Sequence, residues 1–280
     1  MHILIAALHR PVKPTGVCRH AANIARCLAE QPEVTKVSFI IGAWQQHYFE
    51  TAFNLDSDKI KLVVVNIKNS SLVRNIWFLS GLPKLANSLG CDVVHLSFPF
   101  PFLRKQFKVP VVTTIHDLYP YECPENFGFP QVLFNRLFLK QAIRNSNGLP
   151  CDSHATADKL GLYFPQLRSD QLVEVIYSYV DFEGLKMEAP PGMEGCKQFL
   201  LSVAQHRQNK NLDLLIKAYA QLRLNGQVEQ DCQLIIVGIK GPETEKLNSL
   251  IANFNLEANV KFLSAINDNE LGWLYQNCKL

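Results

Sequence analysis

Three short stretches hold residues able to act on a phosphate or a sugar. "AQHRQNKN", at 204–211, places Arg207 and Lys210 after an apolar run, "FLLSVA", and before apolar residues at helical spacing, namely Leu212, Leu215, Ile216 and Tyr219. Two cations without an acid at a strand-to-helix junction, where the helix dipole adds positive potential, suit a diphosphate. A solvated polar loop is the alternative. "VVTTIHDLYP", at 111–120, sets His116 and Asp117 just past the carboxyl end of a strand. That edge is where open α/β sheets bind ligands. A histidine there can hydrogen-bond a sugar hydroxyl or a reacting group, or it can be tied to its neighbour or to backbone. "HRPVKPTGVCRH", at 9–20, joins the first strand to the first long helix. Gly16 permits close backbone approach, and the free N–H groups of a helix start suit a phosphate. Arg19 stands in the first turn, against the dipole, which favours a part in holding an anion. The spacing is not G-x-G-x-x-G, so a dinucleotide site loses its main support. An ordinary connection is the other reading of this loop.

Two acidic stretches read as local structure. Asp56 and Asp58 form D-x-D, but in a turn-like "FNLDSDK" that precedes a strand. "NDNE", at 267–270, reads as a helix N-terminus with acids in its first turn. No motif requires a metal or an organic cofactor. "LSFPFPFLRKQFK", at 96–108, mixes four phenylalanines with Arg104, Lys105 and Lys108. It could touch a membrane interface or a lipid-linked acceptor, or fold back and bury its aromatics. Arg136, Lys140 and Arg144 recur at i, i+4 along one helix face, the usual pattern of a solvated face.

These residues need an alternating framework to position them, and the hydrophobic pattern supplies one. Continuous Val/Ile/Leu runs predict strands at 2–8, 36–41, 60–67, 92–96, 109–115, 148–151 and 172–176, as in parallel sheets buried on both faces. Amphipathic segments between them predict helices at 18–30, 72–89, 131–145 and 155–163. "EGLKMEAPPGMEG", at 183–195, breaks the rhythm, since Pro-Pro-Gly continues neither helix nor central strand. Alternation then resumes with strands at 198–204, 232–237 and 260–263 and helices at 212–224, 243–254 and 268–278. The expectation is two doubly wound α/β domains, 1–185 and 196–280, joined by a linker at 183–195. The second is small for such a sheet and is expected to show an unpaired edge, to be covered by the first, or to be incomplete.

The 280 residues, 48% hydrophobic and 19% charged, are ordinary globular composition with a net charge of +3. So mild an excess does not indicate nucleic acid. Eight cysteines without C-x-x-C or zinc-finger spacing suggest a reducing cytoplasm. The apolar start, at 3–8, lacks the flank and length of a signal peptide, and no run approaches a membrane span. A soluble protein is expected, at most peripheral at the inner face of a membrane.

In order along the chain, these stretches resemble the retaining nucleotide-sugar glycosyltransferases of family 4, of GT-B fold. "TGVCRHAANIARCLAE" resembles the family's G-G-x-x-R-x-x-x-x-L-A-x-x-L opening, and "VVTTIHDLYP" its V-x-T-x-H-D segment. "CDSHATADKL" and "VIYSYVDFE" resemble the end of its first domain. "LLSVAQHRQNKNLDLLIKAYAQL" resembles its L-x-V-G-x-x-x-x-R-K-N-L start of the donor domain, and "LIIVGIKGPETEKL" and "NVKFLSAINDNELGWLYQNC" the segments that follow. The resemblance implies two Rossmann-like doubly wound domains, the second incomplete, with the acceptor on the first and a nucleoside-diphosphate sugar on the second. It implies a catalytic His116 that contacts the donor sugar, and diphosphate binding by Gly16, Lys210 and, in place of the usual neighbouring arginine, Arg207. Gly238 and Gly241 would belong to a donor or nucleotide loop, and Asp117 and Arg19 to substrate contacts. Thr15, Ala204 and Asn209 depart from the family pattern. The family's acidic E-x7-E segment would fall beyond Leu280, so the alternative expectation is a truncated, inactive remnant.

Overall fold

The computed structural model describes residues 1–179, 185–193, 195, 196 and 198–280. Residues 183, 184 and 194 of the expected linker lie outside the described residues. The chain divides into two compact units, Met1–Val180 and Asp181–Leu280.

The first unit is a seven-stranded sheet ordered β3-β2-β1-β4-β5-β6-β7, with every pairing parallel. The strands are β1 (His2–Ala6), β2 (Lys36–Gly42), β3 (Ile60–Val65), β4 (Val93–Leu96), β5 (Val111–Thr113), β6 (Gly148–Cys151) and β7 (Leu172–Val175). Side chains alternate across the pleat, and both faces are covered. Ile3 and Ile5 join one core with Ala21, Ala25 and Phe49, whereas Leu4 and Ala6 join another with Phe78, Leu82 and Phe102. The helices are α1 (Gly16–Glu30), α2 (Gln46–Thr51), α3 (Ser71–Ile76), α4 (Leu82–Leu89), α5 (Tyr119–Glu122), α6 (Gln131–Asn145) and α7 (His154–Tyr163). The order reverses between β1 and β4, so the crevice at their carboxyl ends is the switch point of the sheet.

The single helix expected over 72–89 is α3 and α4 joined by a π-helical turn, Trp77–Gly81. A side chain on Gly81 would meet the Trp77 ring at 2.5 Å, so the glycine admits the indole against the backbone. The short helices α2 and α5 have too few turns to register as an amphipathic period.

The second unit is a three-stranded parallel sheet ordered β10-β9-β8, with β8 (Phe199–Val203), β9 (Gln233–Val237) and β10 (Val260–Leu263). Its helices are α8 (Leu212–Leu224), α9 (Thr244–Asn253) and α10 (Asp268–Asn277). Leu234 and Ile236 face one core under α8 and α9, while Ile235 and Val237 face another with Met193 and Leu274. The outer edge of β8 is not bare: Lys279 N–H donates to the Phe199 carbonyl at 2.9 Å and Leu201 N–H to the Leu280 carbonyl at 2.7 Å. The acidic stretch at 267–270 is a capping box, with Glu270 N–H on the Asn267 side chain and Asn267 N–H on the Glu270 carboxylate. Among the described residues no helix is long and apolar enough to cross a membrane.

Candidate functional site

In the first unit four loops deliver polar side chains to the switch point. They follow β1 (His9, Gly16), β4 (Ser97), β5 (His116, Asp117) and β6 (Asp152). His116 Nε2 lies 2.9 Å from the Ser97 carbonyl oxygen. A carbonyl only accepts, so Nε2 carries a proton. Nδ1 lies 2.9 Å from Asp152 Oδ2 and donates to it when the ring is protonated. Burial opposes that charge, yet the bonds to Asp152 and Ser97 and the nearby charges of Asp152 and Asp117 outweigh it, and the pKa is raised above the ordinary histidine value. The ring has both nitrogens engaged, and its protonated form is favoured more than in an ordinary histidine. To bind a substrate hydroxyl through nitrogen, it must exchange one of these bonds.

The partner of His116 is Asp152, not its neighbour Asp117. Asp117 turns the other way and accepts the Tyr119 N–H at 3.1 Å at the start of α5, and burial raises its pKa. Asp152 was readable as an acid at the end of β6, in "CDSHAT". Sequence separation hid the pairing, because 36 residues lie between the two groups.

Around this pair sit three neutral histidines. Ser97 Oγ donates to the Ala6 carbonyl at 2.7 Å, so it accepts from His9 Nε2 at 3.0 Å. His9 Nδ1 is then free to accept from the Cys18 thiol at 3.5 Å. Burial, and the charges of His116 and Arg74, push the His9 pKa down to about 3. His95 pairs with Thr114 Oγ1 at 2.8 Å, and burial lowers it to about 3 as well. His20, from α1, meets the His116 ring edge-on with centroids 4.7 Å apart, and burial and that neighbour lower it to about 4. Its Nδ1 faces Ser178 Oγ at 3.3 Å, while its buried Nε2 has no partner among the described residues. A buried nitrogen without a partner beside the His116 ring marks a place where a polar ligand would complete the bonding.

Gly16 opens α1, and a side chain built on it would meet nothing within 4 Å, so packing does not demand glycine there. Thr15 caps the helix without a side-chain bond to its N–H groups. Arg19 is exposed, with its guanidinium 5.5 Å from the Phe53 ring centre. The segment 96–108 folds back in part. Phe102 and Phe107 are buried and Phe100 stacks on Phe78 at 3.8 Å, whereas Phe98 and Leu103 stay exposed. Arg136 is not a free surface cation: its Nε donates to the Pro120 carbonyl and its plane covers Tyr121.

In the second unit β8 runs through Ala204 into a single 3₁₀ turn, Gln208–Lys210, and Asn211 adopts a left-handed conformation (φ 48°) before α8 begins. The side chains of Arg207 and Lys210 are exposed and make no polar contact among the described residues. Behind them, His206 is buried and bonds Thr244 Oγ1 at 3.0 Å, and that oxygen also accepts the Gly241 N–H at 2.9 Å. Burial, then the charge of Lys240, lowers the His206 pKa. A side chain on Gly238 would come within 2.0 Å of the Ala204 carbonyl oxygen, and one on Gly241 within 2.5 Å of that of His206. Both glycines are required for the loop after β9 to lie against the loop after β8.

Two parallel α/β units, one gathering histidines at its switch point and the other presenting a cationic loop at its strand ends, define a two-domain protein of GT-B-like fold. The model of Glycosyltransferase Family 4 matches residues 14–183, and that of Glycosyl transferases group 1 matches 187–280. The chain belongs to Glycosyltransferase Family 4. A curated relative from Campylobacter jejuni, N-acetylgalactosamine-N,N'-diacetylbacillosaminyl-diphospho-undecaprenol 4-alpha-N-acetylgalactosaminyltransferase, is 33% identical over 100 residues, which are 36% of this chain and 26% of that protein. Among solved structures, Anabaena HepE in complex with UDP and glucose aligns over 99% of this chain and 72% of its own, at 19% identity and a TM-score of 0.62. Sucrose-phosphate synthase from Thermosynechococcus elongatus aligns over 99% and 74%, at 15% identity and a TM-score of 0.63. At these identities the likeness establishes the fold.

Proposed function

We propose that the protein transfers a glycosyl group from a nucleoside-diphosphate sugar to a hydroxyl acceptor, with retention at the anomeric carbon, in the synthesis of a polysaccharide, lipid-linked or other glycan. The observation that carries this reading is the family membership of the two units, matched in order along the chain. The bond from the anomeric carbon to the diphosphate oxygen breaks, and the acceptor oxygen takes its place on the same face. The acceptor's proton leaves with the diphosphate. Negative charge grows on the leaving group, and Arg207 and Lys210, exposed and unpaired among the described residues, are the groups of the second unit suited to meet it. The backbone at Gly238 and Gly241 borders the nucleotide, and the N–H groups from Gly16 onward offer an anion site in the first unit. His116 is the catalytic group at the reacting sugar, oriented by Asp152 and Ser97. Asp117 and Arg19 contribute substrate contacts.

The test is binding and hydrolysis across a panel of UDP-, GDP- and ADP-sugars. Saturable binding of donors with one base, weakened by Lys210→Ala, is the expected outcome. Saturable binding of none would overturn the reading.

A further inference from the structure

The first unit holds a second concentration of positive charge beside His9 of the histidine cluster, where the loops after β1 and β3 meet. Arg74, on α3, is only 8% exposed. Its guanidinium donates to Asn69 Oδ1, its one polar partner among the described residues. The same Asn69 donates through Nδ2 to the Arg10 carbonyl at 2.9 Å, so one side chain ties both arginines into a corner. The Arg10 side chain is exposed and makes no polar contact among the described residues. Burial, then the charge of Arg10, lowers the Arg74 pKa, and among the described residues no carboxylate acts against them.

The absence of acid is written into both segments. There is no Asp or Glu from Met1 to Ala29, and none from Lys59 to Cys91. These segments bring Lys13 and Lys68 into the same two loops. A nearly buried guanidinium beside a second one, without a counter-ion, is costly to keep. Proteins usually neutralise such a group with a carboxylate, and among the described residues none pairs with Arg74. A bound anion relieves the repulsion, and the planar fork of arginine matches phosphate oxygens in pairs. The flanking residues are apolar and uncovered: Val12 is 65% exposed, Leu72 70% and Ile76 53%. The corner thus pairs an anion socket with an apolar border. Immediately after α3 comes the π-helical turn, a feature often found at functional sites.

We infer that Arg10 and Arg74 form a binding site for a phosphate or diphosphate ester. In naming the acceptor as the molecule that bears it, the inference rests on the transferase reading. The cationic loop after β8 belongs to the other unit.

The test follows the Arg74 Nε–H resonance by nitrogen-15 NMR while inorganic pyrophosphate is added, and in parallel measures sedimentation with phosphatidylcholine vesicles containing or lacking phosphatidylglycerol. The expected result is a saturable shift of the Arg74 signal, with binding about tenfold weaker in Arg10→Gln. Arg10 is exposed, so that variant keeps the fold. Arg74→Lys, which keeps the charge and loses the fork, should also weaken binding. Arginine-dependent response to pyrophosphate alone assigns a phosphorylated group presented free in solution. Arginine-dependent binding of the anionic vesicles alone assigns a lipid headgroup, and either outcome supports the site. No response to both probes, or binding by Arg10→Gln equal to that of the parent, overturns it. Failure of UDP-, GDP- and ADP-sugars to bind would count against the transferase reading and leave the arginine site standing.

Discussion

The two units hold their charge in opposite ways. In the first, the ring of His116 is mostly buried, and both its nitrogens are fixed by Asp152 and Ser97 among three neutral histidines. In the second, the side chains of Arg207 and Lys210 stand in solvent at a single 3₁₀ turn, without an acid or a hydrogen bond among the described residues. A charge that is buried needs a partner to exist at all. A charge in water needs none, and its value is realised only when a ligand removes the water. The first arrangement is built into folding, and the second is held in reserve for binding. Changes in the first should therefore appear in stability and its pH dependence, and changes in the second in activity alone.

Acid should separate the two units most strongly. His9, His20 and His95 have folded pKa values of about 3, 4 and 3, below the ordinary value near 6.5. Below about pH 6.5 the unfolded chain therefore binds more protons than the folded one, and stability is lost as the pH falls from there toward 4. Each such proton is worth on the order of 1.4 kcal/mol per pH unit. His116 has the opposite sign: its raised pKa adds stability that is full below about pH 6.5 and is lost as pH rises through the folded value. The net expectation is loss of the first unit between pH 6.5 and 4, read by hydrogen exchange resolved by segment. Equal loss of protection in both units would break the contrast.

Next in size is Lys210→Ala. Removing one electrostatic donor costs about 3 kcal/mol in the transition state, or roughly 10²-fold in turnover. The side chain has no polar partner to lose, so the unfolding temperature should not move. Normal turnover, or a clear loss of stability, would contradict the division of labour.

Glycines sharpen the same contrast. Gly238→Ala forces a carbon against the Ala204 carbonyl, and the two loops must separate, at a cost of about 2–3 kcal/mol. Gly16→Ala meets open space and should leave stability within about 0.5 kcal/mol. If a ligand does approach Gly16, donor or acceptor affinity falls while the melting curve stays in place.

Asp152→Asn should give the smallest of the larger effects, about 2 kcal/mol of stability, since the pair is only partly buried. Its diagnostic reading is the His116 titration followed by NMR, which should move downward. An unchanged titration would show that Asp152 does not sustain the charge.

Much of the framework was legible in the residues. The continuous Val/Ile/Leu runs of β1, β2 and β9 read as strands because parallel sheets bury both faces, and α6 and α8 were legible from end to end because their apolar residues repeat every turn. The site was legible in part. His116, Lys210 and Gly16 could be placed at strand ends, since that edge follows from the order of elements. Asp152 was passed over because a pairing across 36 residues leaves no periodic trace. Arg74 gave no signal in the sequence, because burial is not a property of a residue type.

What the chain determines by itself is local: the alternation of elements, the loops at their carboxyl ends, and the lack of acid from Met1 to Ala29 and from Lys59 to Cys91. The tertiary structure alone decides which of those loops meet. Parallel pairing of β1 with β4, and of β5 with β6, brings Ser97, His116 and Asp152 together. The packing of α3 sinks one arginine beside another. The reason is physical. Periodicity acts over a few residues, whereas charge, desolvation and close approach depend on distance in space, which the register of the sheet sets.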